Sequence, residues 1–408
     1  MTRRRVAVIG AALGGLRTVQ ALRAAGHDGE IVLVGAEPDL PYDRPPLSKA
    51  VLSGERPADD LGLATAEELA SLDTTLLLGR HAERLDVAAG DVVLDSGDRV
   101  PFDDLVVATG TRARPSPWGL PPGAHLLRTR ADAVALRSDL VRGGRLVVVG
   151  AGVVGCEVAA TARTLGLEVT LVDPLEAPMV RVVGPGAGAM LAEMHRSHGV
   201  RTRFGARVEQ LEGTRGALRV RLADGEVLDA DTVVVGIGAE PNDGWLAGSG
   251  LEVRDGLVCD EFGRASGVTG VYAVGDVARW WHPRHQAHVR LEHWTNAGEQ
   301  AAVVGHNIVH PDEPRSLAPV EYVWSDQFDR TVQVAGRPEG WPAEVVGDDE
   351  AVATGRFTAL FGPPDGPLTG MVAVGSPRST IAGRRAIATG TPLREVADAI
   401  RVRTVANR

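Results

Sequence analysis

The sequence has almost no lysine, and it is poor in cysteine and aromatic residues. Lys49 is the only lysine among 43 basic residues in a chain of 408. Cys156 and Cys259 are the only cysteines, which excludes a disulfide framework and fits a reducing cytoplasm. The longest apolar run, residues 146–162, contains Glu157 and several glycines and is shorter than the roughly 20 residues of a membrane-spanning helix. A net charge of −10 argues against general nucleic-acid binding, which needs extended basic surface.

The lone lysine is itself a signal. One lysine among 43 basic residues leaves 42 arginines, a bias that would be expected to replace lysine wherever arginine can serve. Lysine carries a compact, strongly hydrated ammonium, whereas arginine carries a planar fork. Either Lys49 survives by chance, or its position requires an ammonium, and we favour the functional interpretation.

Two segments about 140 residues apart repeat one pattern of apolar strand, glycine-rich turn and helix. In the first, a strand at 5–9 leads through the turn 10–15 to a helix at 16–25 and a strand at 31–34. Arginines at 3–5 imitate a signal peptide, but the apolar run enters the turn directly, so we expect a buried strand. The second occupies 146–149, 150–155, 156–165 and 169–172. Both repeats predict doubly wound α/β layers with parallel strands.

The second turn contains the complete dinucleotide-binding pattern. Gly150, Gly152 and Gly155 permit a tight turn and close backbone approach, so a pyrophosphate can bind at the helix N-terminus. Asp173 follows Gly150 by 23 residues and is placed to accept hydrogen bonds from ribose hydroxyls. No basic residue occurs in the next four positions to hold a 2′-phosphate. The pattern therefore predicts NADH rather than NADPH.

The first turn departs from the pattern at one position, where Ala12 replaces the middle glycine. Glu37, 27 residues after Gly10, is the candidate ribose acceptor. Two such units indicate either two bound nucleotides or a duplicated scaffold. A flavin nucleotide on the first unit and a nicotinamide nucleotide on the second is the simpler interpretation.

The segment 42–49 ends at the lone lysine and contains two prolines that stiffen it. Arg44 can reach a phosphate from this loop. A cation near the reactive edge of a flavin would favour the negative charge that arrives with hydride. Glu157, near the start of the second helix, is either the partner that holds the Lys49 ammonium or an ordinary exposed acid.

These motifs, in this order, resemble the FAD-dependent NADH:ferredoxin reductases of oxygenase systems. The resemblance spans essentially the whole chain and rests on residues 10–15, 42–49, 108–110, 150–157, 236–242, 269–276 and 292–297. It implies a glutathione-reductase-like α/β fold with two Rossmann-like dinucleotide-binding domains and a C-terminal α+β interface domain. The implied boundaries are 1–112 and 244–317 for the FAD-binding domain, 113–243 for the NADH-binding domain and 318–408 for the interface domain.

The resemblance also implies which residues hold the cofactors. The FAD candidates are Gly10, Gly14, Gly15, Glu37, Arg44, Lys49, Ala82, Arg128, Asp276, Trp294 and Trp324. The NADH candidates are Gly150, Gly152, Val154, Gly155, Glu157, Asp173 and Gly238. Lys49 and Glu157 match a pair near the flavin N5 in relatives and are the candidate catalytic residues. Trp324 matches an aromatic side chain near the flavin, although a tryptophan there could equally be core.

The activity that the resemblance implies is hydride transfer from NADH to FAD, followed by single-electron transfer to a 2Fe-2S ferredoxin. That ferredoxin would feed a cytochrome monooxygenase or a ring-hydroxylating dioxygenase. One alternative is an NADH oxidase, or a reductase of rubredoxin or a small molecule, on the same scaffold. Another is a redox-sensing interaction protein of the apoptosis-inducing-factor type. Because no cysteine precedes Cys156, a thiol near the flavin in the first third of the chain is excluded.

Two clusters near the C-terminal end leave alternatives open. His282, His285 and His288 surround a proline, and we expect solvated loop histidines with no metal. Residues 378–408 contain seven arginines and two acids, a local charge of 7 − 2 = +5. This tail is either a solvated helix face or a docking area for an acidic ferredoxin through Arg384, Arg385 and neighbouring arginines.

Overall fold

The computed structural model describes residues 4–340, 342–347 and 355–406. The chain divides into two compact units. The first comprises Met1–Asp43, Leu61–Arg112 and Ala239–Pro319, and the second comprises Arg44–Asp60, Ala113–Gly238 and Val320–Arg408. No helix in the described ranges combines the length and the apolar character needed to cross a lipid bilayer.

The first unit is organised around a five-stranded parallel sheet. Its strands in spatial order are Val271–Ala273, Asp104–Val107, Val6–Ile9, Ile31–Gly35 and Thr74–Leu78. The inner strands are buried along their whole length, which explains why they are apolar throughout rather than alternating. Helix Leu13–Ala24 packs against helix Trp294–Val309. Gly305 permits their close approach, since a Cβ there would lie 2.6 Å from the Ala21 Cβ.

Smaller elements complete the first unit. One three-stranded sheet comprises Ala82–Asp86, Asp91–Leu94 and Arg99–Pro101, and another comprises Leu257–Cys259, Ala278–His282 and Ala287–Arg290. The short helices are Ala66–Ser71, Gly244–Leu246 and Gly275–Val277, and the short strands are Thr111–Ala113 and Ala239–Pro241. The expected solvated loop at 282–288 is wrong in part. His282 ends a strand that pairs with Ala287–Arg290, and its side chain is buried and bonds to the Pro319 carbonyl.

The second unit contains the second parallel sheet. Its strands in spatial order are Arg201–Phe204, Glu168–Asp173, Arg145–Val149, Thr232–Val235 and Ala124–His125. The helices of this part are Pro45–Ser48, Ala50–Ser53, Arg130–Leu140, Val153–Thr164 and Val180–Ser197. An antiparallel meander, Val208–Thr214, Ala217–Leu222 and Val227–Ala230, covers part of the sheet core. Its middle strand alternates exposed and buried residues, as expected for a sheet with one solvated face.

The C-terminal part of the second unit is a five-stranded antiparallel sheet with two helices. The strands in spatial order are Tyr322–Gln327, Arg330–Gly336, Gly370–Val374, Phe357–Phe361 and Glu344–Val346, and the helices are Pro377–Thr389 and Leu393–Ala406. The predicted fold class is confirmed: two doubly wound α/β layers and a C-terminal α+β domain. The division at 112, 243 and 317 stays a prediction.

Candidate functional site

The turn between Arg145–Val149 and Val153–Thr164 is built so that two of its glycines cannot be replaced. A Cβ on Gly150 would lie 2.2 Å from the Gly236 carbonyl oxygen, and Gly150 has a φ of +102°. A Cβ on Gly155 would lie 1.9 Å from the Gly150 oxygen. A Cβ on Gly152 would meet no atom within 4 Å. The first and third glycines therefore serve backbone packing, whereas Gly152 faces open space that a ligand can fill.

The first unit repeats this construction. A Cβ on Gly10 would lie 2.1 Å from the Ala108 oxygen, and one on Gly15 would lie 1.8 Å from the Gly10 oxygen. Gly14 is less constrained, because its Cβ would make only an ordinary contact of 3.4 Å with Val274. Ala12 occupies the position that corresponds to Gly152, where the second turn has room for a methyl group.

The helices after both turns begin without a side-chain cap. Neither Leu13–Ala24 nor Val153–Thr164 has a capping hydrogen bond or an acid in its first turn. Helix Arg130–Leu140, by contrast, has a capping box from Thr129. The uncapped N–H groups and the positive end of the helix dipole suit a pyrophosphate. Both turns therefore fit a bound dinucleotide.

Asp173 is held beside the second turn. Its Oδ2 accepts a hydrogen bond from the Ala151 N–H at 2.6 Å, and its Oδ1 accepts one from the Leu175 N–H at 2.8 Å. Each carboxylate oxygen can accept a further hydrogen bond, so the side chain can still bind ribose hydroxyls. Gly238, another NADH candidate, has a φ of +112° and accepts from the Arg114 N–H. Val154, in the first helical turn, is partly exposed.

The FAD candidates of the first unit follow the carboxyl ends of its parallel strands, where open sheets bind ligands. Glu37 accepts a hydrogen bond from the Tyr42 hydroxyl at 2.6 Å. Asp276 accepts one from the Thr111 hydroxyl at 3.2 Å. Trp294 begins helix Trp294–Val309, and its indole N–H donates to Asp43. Ala82 lies elsewhere, at the start of the three-stranded sheet Ala82–Pro101.

Two further segments that carried the resemblance meet in the first unit. The Thr109 hydroxyl donates to the Asn242 carbonyl at 2.7 Å, and the Asn242 amide donates to the Thr109 carbonyl at 2.9 Å. This reciprocal pair joins the 108–110 turn to the segment that ends at Asn242, although 133 residues separate them. It fixes the backbone that packs against Gly10.

In the second unit, the structure brings Lys49 and Glu157 together. The Lys49 ammonium lies 2.8 Å from Glu157 Oε1, and it also donates to the Pro45 carbonyl at 3.1 Å. The Lys49 side chain is 18% exposed and that of Glu157 only 4%. The alternative interpretation of Glu157 as an exposed helix acid is therefore wrong.

The loop that carries Lys49 is anchored at several points. The two prolines begin the short helix Pro45–Ser48, and the Ser48 carbonyl accepts from the Thr161 hydroxyl at 3.0 Å. Arg44 donates to the Arg128 carbonyl at 2.7 Å, so these two FAD candidates are neighbours. Because the backbone on both sides of Lys49 is fixed, its ammonium is pre-positioned rather than recruited from solution.

Burial and hydrogen bonding act in opposite directions on Glu157. Burial raises the pKa of its carboxyl, whereas the Lys49 charge and the hydroxyls of Ser48 and Ser325 lower it. Ser48 donates to Oε2, and Ser325 donates to Oε1 at 2.9 Å. Burial also raises the pKa of the adjacent Cys156 thiol, which is inert as a nucleophile at neutral pH.

Sequence reasoning missed the polar groups around this pair. Ser48 directly precedes Lys49, and Ser325 and Gln327 lie in the strand that also carries Trp324. Alternation along that strand was the available signal, because it places Ser325 and Gln327 on one face and both are fully buried. His195, which contacts Gln327, carried no signal in the sequence.

Trp324 and the arginine-rich tail lie in the C-terminal part. Trp324 is half-buried and stacks with Tyr322 at a centroid distance of 6.0 Å. The guanidinium of Arg384 lies 4.7 Å from the Tyr322 ring centroid. Arg385 is exposed on the same helix, and Ile381 is 73% exposed. Arg403 and Arg408 of the tail lie outside the residues whose side chains are described.

Comparisons with known proteins agree over nearly the whole chain. Residues 4–301 match the family described as pyridine nucleotide-disulphide oxidoreductase, and residues 322–401 match the reductase C-terminal family. Rhodocoxin reductase from Rhodococcus erythropolis is 36% identical over 391 residues, covering 95% of this chain and 90% of that protein. The ferredoxin–NAD(+) reductase subunit of the benzene 1,2-dioxygenase system from Pseudomonas putida is 37% identical over 387 residues, with 94% and 92% covered.

The solved structures agree as well. The covalent complex of putidaredoxin reductase with putidaredoxin contains a chain that matches with a TM-score of 0.90 and 31% identity. The match covers 98% of this chain and 99% of that one.

Proposed function

Because this chain belongs to the pyridine nucleotide-disulphide oxidoreductase family, among its NAD-dependent ferredoxin reductases, we propose that it oxidises NADH and reduces a 2Fe-2S ferredoxin. The ferredoxin then serves a cytochrome monooxygenase or a ring-hydroxylating dioxygenase. The observation that carries the proposal is the pair of uncapped glycine turns together with the buried Lys49–Glu157 pair. Two turns bind two nucleotides, and a fixed cation suits hydride transfer between them.

The first turn holds FAD. When bound, FAD accepts electrons in pairs from NADH and releases them singly, which links a two-electron donor to a one-electron cluster. Gly10, Gly14 and Gly15 let the backbone N–H groups reach its pyrophosphate. The remaining FAD residues of this proposal are Glu37, Arg44, Lys49, Ala82, Arg128, Asp276, Trp294 and Trp324.

The second turn binds NADH, and the Lys49–Glu157 pair serves hydride transfer. Gly150, Gly152, Val154, Gly155 and Gly238 form the backbone of this site, and Asp173 binds the ribose hydroxyls. The Lys49 ammonium stabilises the negative charge that develops as hydride is transferred. Glu157 keeps that ammonium in place, since an unpaired lysine side chain would lose its orientation.

We also propose the location and the domain boundaries. The protein works in the cytoplasm, where NADH is available and where its two buried cysteines stay reduced. FAD is bound by residues 1–112 and 244–317, NADH by 113–243, and the C-terminal domain 318–408 meets the ferredoxin.

An anaerobic titration of the flavin-loaded protein tests this function. NADH is expected to bleach the flavin absorbance, and a 2Fe-2S ferredoxin is expected to restore it and to sustain NADH turnover. A flavin that NADH leaves oxidised would contradict the proposal. So would aerobic NADH oxidation that is as fast without ferredoxin as with it, since that result would indicate an NADH oxidase.

Coenzyme choice is expected to follow Asp173. The double substitution Asp173→Asn with Pro174→Arg removes a carboxylate that would repel a 2′-phosphate and adds a base at an exposed position. The ratio of kcat/KM for NADPH to that for NADH is expected to rise by about tenfold or more, because one favourable charge contact replaces one repulsion. Steady-state kinetics with both coenzymes measure it. Pro174→Arg alone is the control, and a wild-type preference for NADPH would refute the assignment.

Ferredoxin docking is expected to depend on the C-terminal arginines. Reversing charge at both Arg384 and Arg385 to glutamate should raise the KM for ferredoxin by about tenfold at low salt, and the effect should shrink as salt screens it. Steady-state reduction of ferredoxin over a salt series measures it. Arg221→Glu, at an exposed position of the meander, is the matched control. An unchanged KM would leave the tail as a solvated helix face.

A further inference from the structure

A chain of buried polar side chains runs from Glu157 into the C-terminal domain. Ser325 donates to Glu157 Oε1 at 2.9 Å, Gln327 Nε2 donates to the Ser325 hydroxyl at 2.9 Å, and Gln327 Oε1 lies 3.0 Å from His195 Nε2. Ser325, Gln327 and His195 are fully buried. Buried polar groups are costly unless they are hydrogen-bonded, so a chain of this length in a core requires an explanation.

The donors and acceptors assign one direction to this chain. Gln327 Nε2 also donates to the Met179 sulfur at 3.2 Å, which fixes the orientation of the amide. Its oxygen must then accept from His195 Nε2–H. Because the Gln327 amide donates to the Ser325 oxygen, the hydroxyl proton of Ser325 is left to point at the Glu157 carboxylate. Every hydrogen bond therefore donates toward Glu157.

The far end of the chain is a neutral histidine. Burial lowers the pKa of His195 to about 4. At neutral pH one ring nitrogen carries the proton, and the Gln327 oxygen requires it on Nε2. His195 Nδ1 has no hydrogen-bond partner within the described part of the chain. The ring is thus available to donate in only one direction.

From this geometry we infer that Ser325, Gln327 and His195 are positioning residues that keep Glu157 ionised and oriented against Lys49. The inference deepens the proposed function and rests on it for its consequence in hydride transfer. Hydrogen bonds that donate to a carboxylate favour the charged form, and neighbours in a chain polarise one another. An ionised, fixed Glu157 in turn keeps the Lys49 ammonium in place.

Other ionisable groups near Glu157 do not take this role. The elements packed against helix Val153–Thr164 carry Arg145, Glu168, Asp173, Tyr322 and Asp326, and Cys156 is its neighbour in the helix. Among the described residues, the carboxylate of Glu157 contacts only Lys49, Ser48 and Ser325. The ionisation of Glu157 is therefore governed by Lys49 and two hydroxyls, one of which the chain orients.

The test is a pH titration of Glu157 in the oxidised, flavin-loaded protein. Infrared spectroscopy follows the carboxylic-acid C=O band, which Glu157→Gln assigns by removing it. Ser325→Ala is expected to raise the apparent pKa of this band by about one unit, since it removes one charge-assisted hydrogen bond. Gln327→Met keeps the Ser325 hydroxyl but frees its orientation, so its shift should be in the same direction and smaller.

Ser379→Ala is the matched control, because Ser379 is a buried serine of the same domain whose hydroxyl bonds only to Ser376. It should leave the band unshifted. The pH profile of flavin reduction by NADH, measured by stopped flow, should move by the same amounts. Unshifted bands in both Ser325→Ala and Gln327→Met, with folding verified by circular dichroism, would overturn the inference. A wild-type flavin that NADH cannot reduce would instead overturn the proposed function and leave the infrared result interpretable.

Discussion

Lys49→Met is expected to slow reduction of the bound flavin by NADH by about 100-fold or more. Losing a pre-positioned charge that stabilises the transition state typically has an effect of this size. Stopped-flow absorbance at saturating NADH measures the rate constant. Lys49→Arg keeps the charge but replaces the compact ammonium with a planar fork, and it should also be slower than wild type, although less so. A wild-type rate in Lys49→Met would refute the catalytic role of the ammonium.

The same substitution is expected to destabilise the protein in a pH-dependent way. It leaves Glu157 buried without its cation, and breaking a buried pair in this manner costs about 3 kcal/mol or more. Burial already raises the pKa of Glu157, and loss of Lys49 raises it further. The folded variant then holds a proton that the unfolded chain releases, so stability falls as pH rises through the raised pKa. Denaturant unfolding at several pH values should show little deficit in acid and the full deficit at alkaline pH.

The double substitution Lys49→Met with Glu157→Gln separates the two effects. A neutral amide beside methionine removes the unpaired charge, so stability should return toward that of the wild type and lose its pH dependence. Flavin reduction should remain slow, because the ammonium is still missing. Recovery of both stability and rate would show that Lys49 has only a structural role.

Gly155→Ala is expected to abolish NADH-dependent activity almost completely. The added methyl would overlap the Gly150 carbonyl oxygen at 1.9 Å, and neither atom can move without opening the turn between strand and helix. We expect a loss in kcat/KM for NADH of about 100-fold or more, since the N–H groups that hold the pyrophosphate are displaced. The local unit should lose about 2 kcal/mol or more to overpacking. The absorbance of bound FAD should persist, because the first turn is unchanged.

Gly152→Ala is the matched control in the same turn. Its Cβ meets no protein atom within 4 Å, so the fold should keep its stability, and only the approach of the bound nucleotide should suffer. A rise in KM for NADH with unchanged unfolding is the expected result. If Gly155→Ala binds NADH with wild-type affinity, the second turn is not the nicotinamide nucleotide site.

Local patterns were the part of the fold that could be predicted. The strand at 232–235 has the predicted bounds, and the predicted strand at 146–149 is one residue longer in the structure. Buried parallel strands are continuous apolar runs, so their extent is visible in composition alone. Helix starts were less accurate: helix Val153–Thr164 begins three residues before the predicted 156, because its first turn consists of residues assigned to the glycine turn. Helix Pro377–Thr389 was missed because Gly, Ser and Thr weaken its helical signal.

The glycine spacing, the acids after the second strands and the lone lysine were written in the sequence, because each depends on neighbours within about 30 residues. The sequence alone thus determined that the chain has two dinucleotide turns and one special ammonium. The tertiary structure decided what surrounds that ammonium, since Lys49 and Glu157 are 108 positions apart and Ser325 lies 168 positions beyond Glu157. Folding alone buries the carboxylate, and burial is what converts an ordinary acid into a group whose charge depends on each hydrogen bond it receives.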